Sequence, residues 1–241
     1  MNCLLKVRSG PHTQCKECTV RTLAWFEPGA QEALARRQEL RSSQYEVRAR
    51  ELIYQEGDLL KEVYTLQRGW VIRYKTLENG SRQVLNVALP GDLLGFRANL
   101  SEPLEHSALA ATGCILCVFS DQNMKTLMST DPELIQRLFE IQCEQAAQCH
   151  SHLAYVGHAP AKQRMALFIS DIIARLKDRG VSLKDTIDFP ITHEELADAI
   201  GVTPVHLSRV SSELRKEKIL DCRYNKLIIH DLERLKSLAH V

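Results

Sequence analysis

Residues 192–220 carry the strongest structural signal in the chain, because they spell two short capped helices around one glycine. Thr192 suits the start of the first helix, and Glu195, three residues on, completes a capping box. Gly201 permits the left-handed turn that ends this helix, and Thr203 begins the next one. This pattern predicts a helix-turn-helix, since two ordinary amphipathic helices of a bundle do not require both caps and the glycine turn.

The second helix of this motif has one apolar side and one polar side. Leu207, Val210 and Leu214 recur at the spacing of a buried stripe. A helix with the opposite side polar fits the major groove of DNA, where its N-terminal residues reach base edges. We therefore expect the following residues to face DNA: Thr203, Val205, His206, Ser208, Arg209 and Ser212.

Charge is sorted along this region in the direction that DNA binding requires. The first helix has no lysine or arginine, whereas residues 203–230 contain six basic residues against three acidic ones. The stretch that follows reads as two short strands around Tyr224 and Asn225, the wing of a winged helix, in which Arg223 and Lys226 are placed for phosphates. Double-stranded DNA is the predicted partner through this local patch, because the net charge of the whole chain is only +1.

The chain of 241 residues is long enough for two small domains, each with its own core. No apolar run approaches the ~20 residues that span a bilayer, and no secretory signal begins the sequence, so we expect a cytoplasmic protein without membrane contact. Its eight cysteines are then thiols or metal ligands rather than disulfides. The sequence contains no paired carboxylates, no Ser/His/Asp set and no phosphate-cradling loop, so it does not predict an enzyme.

Composition changes along the chain predict four parts and an α+β fold. Short apolar segments punctuated by glycine, with Asn79-Gly80 as a hairpin signal, predict an N-terminal antiparallel β-roll of the jelly-roll type. A long helix and the C-terminal winged helix-turn-helix follow it. The four parts are a cysteine-containing leader (1–27), a β-roll sensor domain (28–130), a dimerisation helix (131–157) and a DNA-binding domain (158–241).

The long helix carries a seam whose positions step by three and four residues. These positions are Phe139, Gln142, Ala146, Cys149, Leu153 and Val156. Such a seam joins helices in coiled coils, although it also suits a helix that packs on its own barrel. We favour a homodimer, because symmetric reading of a palindromic operator needs a two-fold axis. Residues 157–160, Gly-His-Ala-Pro, predict a hinge after this helix.

A β-roll, a long helix and a winged helix-turn-helix in this order resemble the family of the cyclic-AMP receptor protein and the fumarate–nitrate reduction regulator (CRP/FNR). The shared motifs are GDLLGF at 91–96 and Leu207-Ser208-Arg209. The first motif lies in the roll, which resembles a cyclic-nucleotide-binding domain. The resemblance implies that Val205, Ser208 and Arg209 read each half-site and that RNA polymerase is a partner. Ser208 and Arg209 match the oxygen-sensing branch, whereas Val205 replaces a usual glutamate, so we expect a non-standard operator.

The nucleotide pocket of that family implies a different ligand for this chain. Phe96 stands where the family has a glutamate for the ribose, and His106 and Ser107 stand where it has an Arg-Ser pair for the cyclic phosphate. Cyclic AMP is therefore not the expected effector. Phe96, His106 and Ser107 remain candidates for an effector pocket, with Phe96 more simply a core aromatic.

The oxygen-sensing branch also implies an iron–sulfur cluster with three cysteine ligands in the leader and one in the roll. Cys15 and Cys18 form a Cys-x-x-Cys pair, and Cys117 stands at the distant ligand. The third leader ligand is absent downstream of Cys18, so only Cys3 can replace it, with the right number of ligands and the wrong spacing. The alternatives are a thiol switch through Cys15 and Cys18, a remnant leader with Cys114 and Cys117 as strand residues that fill the core, and haem or another effector.

Together these features predict a homodimeric, sequence-specific transcription regulator that an effector or redox signal switches in its N-terminal domain. The alternative is an iron–sulfur or thiol redox protein in which DNA binding is incidental. That alternative predicts DNA binding without sequence preference and little response to Arg209→Ala.

Overall fold

The computed structural model describes residues 8–9, 13–21, 23, 31–97, 99, 101–182 and 186–239. They form two compact units. One contains residues up to 75 together with 86–144, and the other contains 76–85 together with 145–241. Helices and antiparallel sheets are both present, which confirms the predicted α+β class.

Nine strands between residues 8 and 120 form two antiparallel sheets, as the β-roll prediction requires. In chain order they are β1 (Arg8–Ser9), β2 (Ser43–Val47), β3 (Leu52–Tyr54), β4 (Glu62–Arg68), β5 (Val71–Thr76), β6 (Arg82–Ala88), β7 (Leu93–Leu94), β8 (Ser107–Ala110) and β9 (Cys114–Ser120). One sheet has the order β1-β2-β9-β4-β7, and the other has the order β3-β8-β5-β6. The predicted hairpin joins β5 to β6, and Gly80 takes a φ of +81° there.

Alternation along β9 divides the buried side chains of the roll into two clusters. Leu116 and Val118 join Tyr54, Tyr64 and other residues from both sheets in the first cluster. Cys117 and Phe119 point the other way, into a second cluster that includes helical residues. Cys117 therefore lies on the helix-covered side of its sheet.

Seven α-helices and one 3-10 turn (Cys15–Glu17) complete the described part of the chain. The α-helices are α1 (Gln31–Leu40), α2 (Asp121–Thr130), α3 (Pro132–His158), α4 (Ala161–Asp178), α5 (His193–Ile200), α6 (Pro204–Lys216) and α7 (Leu232–Ala239). The predicted long helix is α3. It continues one residue further than predicted, to His158, so Gly157 of the predicted hinge lies inside the helix. The Ala159 N–H still bonds to the Tyr155 carbonyl at 2.9 Å, and the helix ends before Pro160.

The C-terminal unit packs its helices against a three-stranded sheet. Its strands are β10 (Thr186–Asp188), β11 (Leu220–Arg223) and β12 (Lys226–Ile229), in the order β10-β12-β11. The hairpin of β11 and β12 confirms the predicted wing, while β10 is an additional strand that the sequence did not reveal. Within the described residues, no helix combines the length and apolar character needed to cross a membrane.

Candidate nucleic-acid interface

The two helices of the motif begin and end as the sequence predicts. The Thr192 hydroxyl accepts from the Glu195 N–H at 3.2 Å, and the Glu195 carboxylate accepts from the Thr192 N–H at 2.8 Å, which is a complete capping box. Gly201 ends α5 with a φ of +64°. The Thr203 hydroxyl accepts from the His206 N–H at 3.3 Å and so fixes the start of α6.

The sides of α6 are divided as predicted. Leu207, Val210 and Leu214 are buried, which anchors the helix to the unit. The residues expected to face DNA lie on the other side, and all of them except half-buried Ser212 are exposed. Val205 is 65% exposed, although its apolar side chain forms no hydrogen bonds with water. Its position therefore suits an apolar contact with a partner.

Ser208 and Arg209 differ in the contacts that they make with their own chain. The Ser208 hydroxyl donates to the Pro204 carbonyl at 3.1 Å and lies 3.3 Å from Nε2 of His193, so α5 and α6 both hold it in place. Arg209 has no hydrogen bond or ion pair to any described residue and is exposed. Its guanidinium is therefore available for a base edge or a phosphate.

The wing is more constrained than its sequence indicated. Arg223 forms an ion pair with Asp221 on its own strand, and Lys226 forms one with Asp188 of β10. Both cations are exposed, but each already has an acidic neighbour. Tyr224 at the tip is 92% exposed in a left-handed conformation, and it is a further candidate contact that was not predicted from the sequence. An exposed aromatic at a turn tip was the available signal.

A cleft of about 370 Å³ opens between α5, α6 and the wing. Thr192, His193, Ser211, Arg223 and Tyr224 are among the residues that line it. The capped start of α5 and the wing tip thus border one concave, partly basic surface beside α6. Such a surface can receive a phosphate backbone while α6 occupies the groove.

Comparison with known proteins identifies both halves of the chain. Residues 163–238 match the Crp-like helix-turn-helix domain, and residues 44–131 match the cyclic nucleotide-binding domain. The nitrogen fixation regulation protein FixK of Rhizobium meliloti is 30% identical over 189 residues, which are 78% of this chain and 83% of FixK. The chain belongs to the CRP/FNR family, in its FNR-like branch.

Two further comparisons extend over more of this CRP/FNR protein. The FixK protein of Bradyrhizobium diazoefficiens is 27% identical over 226 residues, 93% of each chain. The solved structure of FixK2 from Bradyrhizobium japonicum shares the fold with a TM-score of 0.73 at 22% identity, over 83% of this chain and 98% of that one. The chain is thus a transcription regulator with a DNA-binding helix-turn-helix.

In this CRP/FNR regulator the predicted seam of α3 lies open. All six seam residues are exposed; Phe139 reaches 69% and Leu153 reaches 73%. The side of α3 that packs on its own chain carries other residues, among them Leu134 and Leu138. The large apolar side chains of the seam therefore have no cover from the described part of their own chain.

Three of the four cysteines expected to bind a cluster are described, and Cys3 lies outside the described residues. Cys15 and Cys117 are buried and Cys18 is half-buried. Burial is the main cause that raises the pKa of Cys15, and the neighbouring thiols of Cys117 and Cys18 raise it further, against the opposite effect of Arg41. The three thiols are neighbours, but within the described residues no group of three or more His, Cys, Asp or Glu side chains is placed to hold a metal.

Glutamines connect the leader to these thiols. The Gln44 side-chain N–H donates to Cys117 Sγ at 3.2 Å, while the oxygen of the same amide accepts from the Thr13 N–H at 2.9 Å. Gln38 accepts from the Cys15 N–H at 2.9 Å. Burial raises the pKa of the Cys117 thiol too. Both buried thiols therefore rest in the protonated form.

The candidate effector residues occupy different surroundings. Phe96 packs against the second core cluster, on the side of Cys117 and α2. His106 pairs with the first cluster, because its Nε2 lies 3.0 Å from the Tyr54 hydroxyl. The Ser107 hydroxyl accepts from the Glu56 N–H at 3.0 Å. Phe96 is thus a partly buried aromatic packed against the core, while His106 and Ser107 border the interior of the roll.

Proposed function

We propose that this protein is a homodimeric regulator that reads a palindromic operator with one α6 helix per half-site. The observation that carries the proposal is Arg209, which is exposed and has no hydrogen bond or ion pair within the described residues, on a helix that Thr203 caps and whose other side is anchored. In this proposal residues 131–157 dimerise, residues 158–241 bind DNA, and residues 1–27 and 28–130 receive the signal in the cytoplasm. RNA polymerase is the expected partner at promoters.

Each exposed residue of the interface has a proposed contact. Arg209 donates to O6 and N7 of a guanine, and Val205 touches a thymine methyl, because it cannot accept from a cytosine amino group. Ser208, held by α5 and α6, reads a base edge. Thr203, His206, Ser212, Arg223 and Lys226 contact the sugar-phosphate backbone.

The deciding experiment compares binding to an operator selected in vitro with binding to a scrambled duplex of equal length. We expect Arg209→Ala to lose ~1–3 kcal/mol of preference at one base step of each half-site. Lys216→Ala, exposed at the far end of α6, is the matched control and should weaken both duplexes equally. Equal affinity of the unaltered protein for the two duplexes would refute the proposal and favour a redox protein with incidental DNA contact.

For the signal, we propose a thiol centre formed by Cys15, Cys18 and Cys117. A four-cysteine cluster would need Cys3 as its fourth ligand, and the three described thiols do not provide a metal site by themselves. Cys18 is the most accessible of the three, so its sulfur attacks hydrogen peroxide first, which breaks the O–O bond and gives a sulfenic acid and water. A buried neighbouring thiol then displaces a second water and leaves one disulfide, with the peroxide reduced.

Iron, acid-labile sulfide and thiols are measured on protein purified without oxygen. The thiol centre predicts no bound iron and the loss of two thiols per chain after peroxide, restored by dithiothreitol. Mass spectrometry should place the disulfide between the leader and β9 or within the leader. Near-stoichiometric iron and sulfide would instead establish the cluster, and Cys3→Ser would then test whether Cys3 is its fourth ligand.

A further inference from the structure

Three residues form a row across the second sheet of the roll. Tyr54 of β3 and Arg73 of β5 both pair with Ala108 of β8, which lies between them. Residues opposite one another on antiparallel strands project from the same face. The small methyl group of Ala108 thus lies between two large polar side chains on the interior face.

Arg73 is an unusual residue for this interior. It is only 7% exposed, and it shares its face with Val71, a member of the first core cluster. One Nη2 hydrogen goes to the Leu93 carbonyl. Its Nε has no hydrogen-bond partner, and within the described residues no carboxylate forms an ion pair with it. A buried guanidinium without an anion is strongly unfavourable, so binding of an anionic ligand would stabilise it.

The groups around Arg73 do not neutralise it. Burial, and next the charge of Arg73 itself, lower the pKa of His106 to about 4, so this ring is neutral. The Tyr54 hydroxyl meets His106 and accepts from the Gly95 N–H at 3.3 Å. Glu56 is the acid whose charge raises the pKa of His106, but it is partly exposed and pairs with Lys75 at 3.4 Å. The interior therefore combines the positive charge of Arg73 with the neutral polar groups of Tyr54 and His106.

We propose that this interior binds a small organic carboxylate, held by Arg73 and bordered by Tyr54 and His106. The free Nε and the second Nη2 hydrogen form a fork that fits two carboxylate oxygens, and one guanidinium balances one carboxylate. The cation comes from β5, not from the position where the cyclic-nucleotide pocket has its arginine. As an effector site it rests on the proposed function, whereas binding itself is measurable without DNA.

The test uses full-length protein labelled with nitrogen-15 arginine and sodium acetate as the probe, against sodium chloride at equal ionic strength. We expect the Nε–H resonance of Arg73, assigned by its loss in Arg73→Lys, to shift saturably with acetate only. Acetate should also raise the unfolding temperature of the parent and of Arg48→Lys, an exposed matched control, but not that of Arg73→Met. In chloride Arg73→Met should unfold at or above the parent temperature.

Three results would overturn the carboxylate site. They are a resonance that ignores acetate, one that moves equally with chloride, and one that saturates with inorganic phosphate but not with acetate. The parent measurement does not depend on whether any variant folds. Protein that prefers its operator but ignores acetate refutes this site alone, and protein that binds acetate without operator preference refutes only the proposed function.

Discussion

Arg37 donates two hydrogen bonds to one carboxylate oxygen of Asp131, from Nε at 3.0 Å and from Nη2 at 2.7 Å. The other oxygen of Asp131 accepts from the Leu134 N–H at 3.0 Å and so caps α3. Both residues are buried. One ion pair therefore connects α1, which follows the cysteine-bearing leader, to the start of the helix that carries the seam.

Breaking this pair on either side should destabilise the first unit strongly. We expect Arg37→Met or Asp131→Asn to lower the free energy of unfolding by ~3–5 kcal/mol, because each leaves a buried charge without the opposite charge that it faces. The double variant should lose much less than the sum, as measured by urea unfolding in a double-mutant cycle. Strict additivity of the two losses would show that the pair is not coupled.

The exposed seam predicts a dimer that one charge can disrupt. Leu153→Glu places like charges opposite each other across the proposed two-fold axis, so we expect a larger monomer fraction in sedimentation and weaker operator binding. Ser151→Glu is the control, since Ser151 is exposed on α3 but lies off the seam. A dimer that survives Leu153→Glu unchanged would move the interface to another surface.

Replacement of two glycines by alanine should change the stability of the protein in opposite directions. Gly201 has a φ of +64°, so Gly201→Ala should lower the unfolding free energy of the C-terminal unit by ~1–2 kcal/mol. Gly157 lies inside α3, and an added Cβ would meet nothing within 4 Å. Gly157→Ala should therefore raise helix stability by ~0.5–1 kcal/mol. Calorimetry measures both, and a stabilising Gly201→Ala would contradict the turn geometry.

Acid should destabilise the roll through His106. Its pKa of about 4 lies below the ordinary value of 6.5, so the unfolded chain takes up the proton first as pH falls. The stability contributed by the neutral ring is complete above pH 6.5 and is lost toward pH 4, with a slope of at most ~1.4 kcal/mol per pH unit. His106→Gln should remove this slope from urea unfolding curves, and an unchanged slope would contradict burial of the ring.

Local sequence signals were sufficient for the DNA-binding motif. Thr192, Glu195, Gly201 and Thr203 act through neighbours three or four residues away, so their chemistry is legible in the sequence and the capped helices are confirmed. The seam of α3 was legible for the same reason, because helical periodicity is local.

Relationships across the chain were not legible. Arg37 and Asp131 are 94 residues apart, and only the packing of α1 on the roll brings them together. The row of Tyr54, Ala108 and Arg73 depends on strand register, which no short pattern specifies. The helix α2 was missed although Ser120 caps it, and β10 was missed because three residues give too little periodicity.

The ion pairs of the wing reduce the positive charge that its basic residues offer to DNA phosphates. Phosphates that approach Arg223 or Lys226 must compete with Asp221 and Asp188, so those cations exchange one anion for another. Contacts by these two cations then release few counterions from DNA. The logarithm of the DNA-binding constant should therefore fall with the logarithm of the salt concentration less steeply than the ~0.9 per phosphate contact expected for unpaired cations. Operator occupancy by this protein would thus tolerate changes in cellular ionic strength better than its six basic residues suggest.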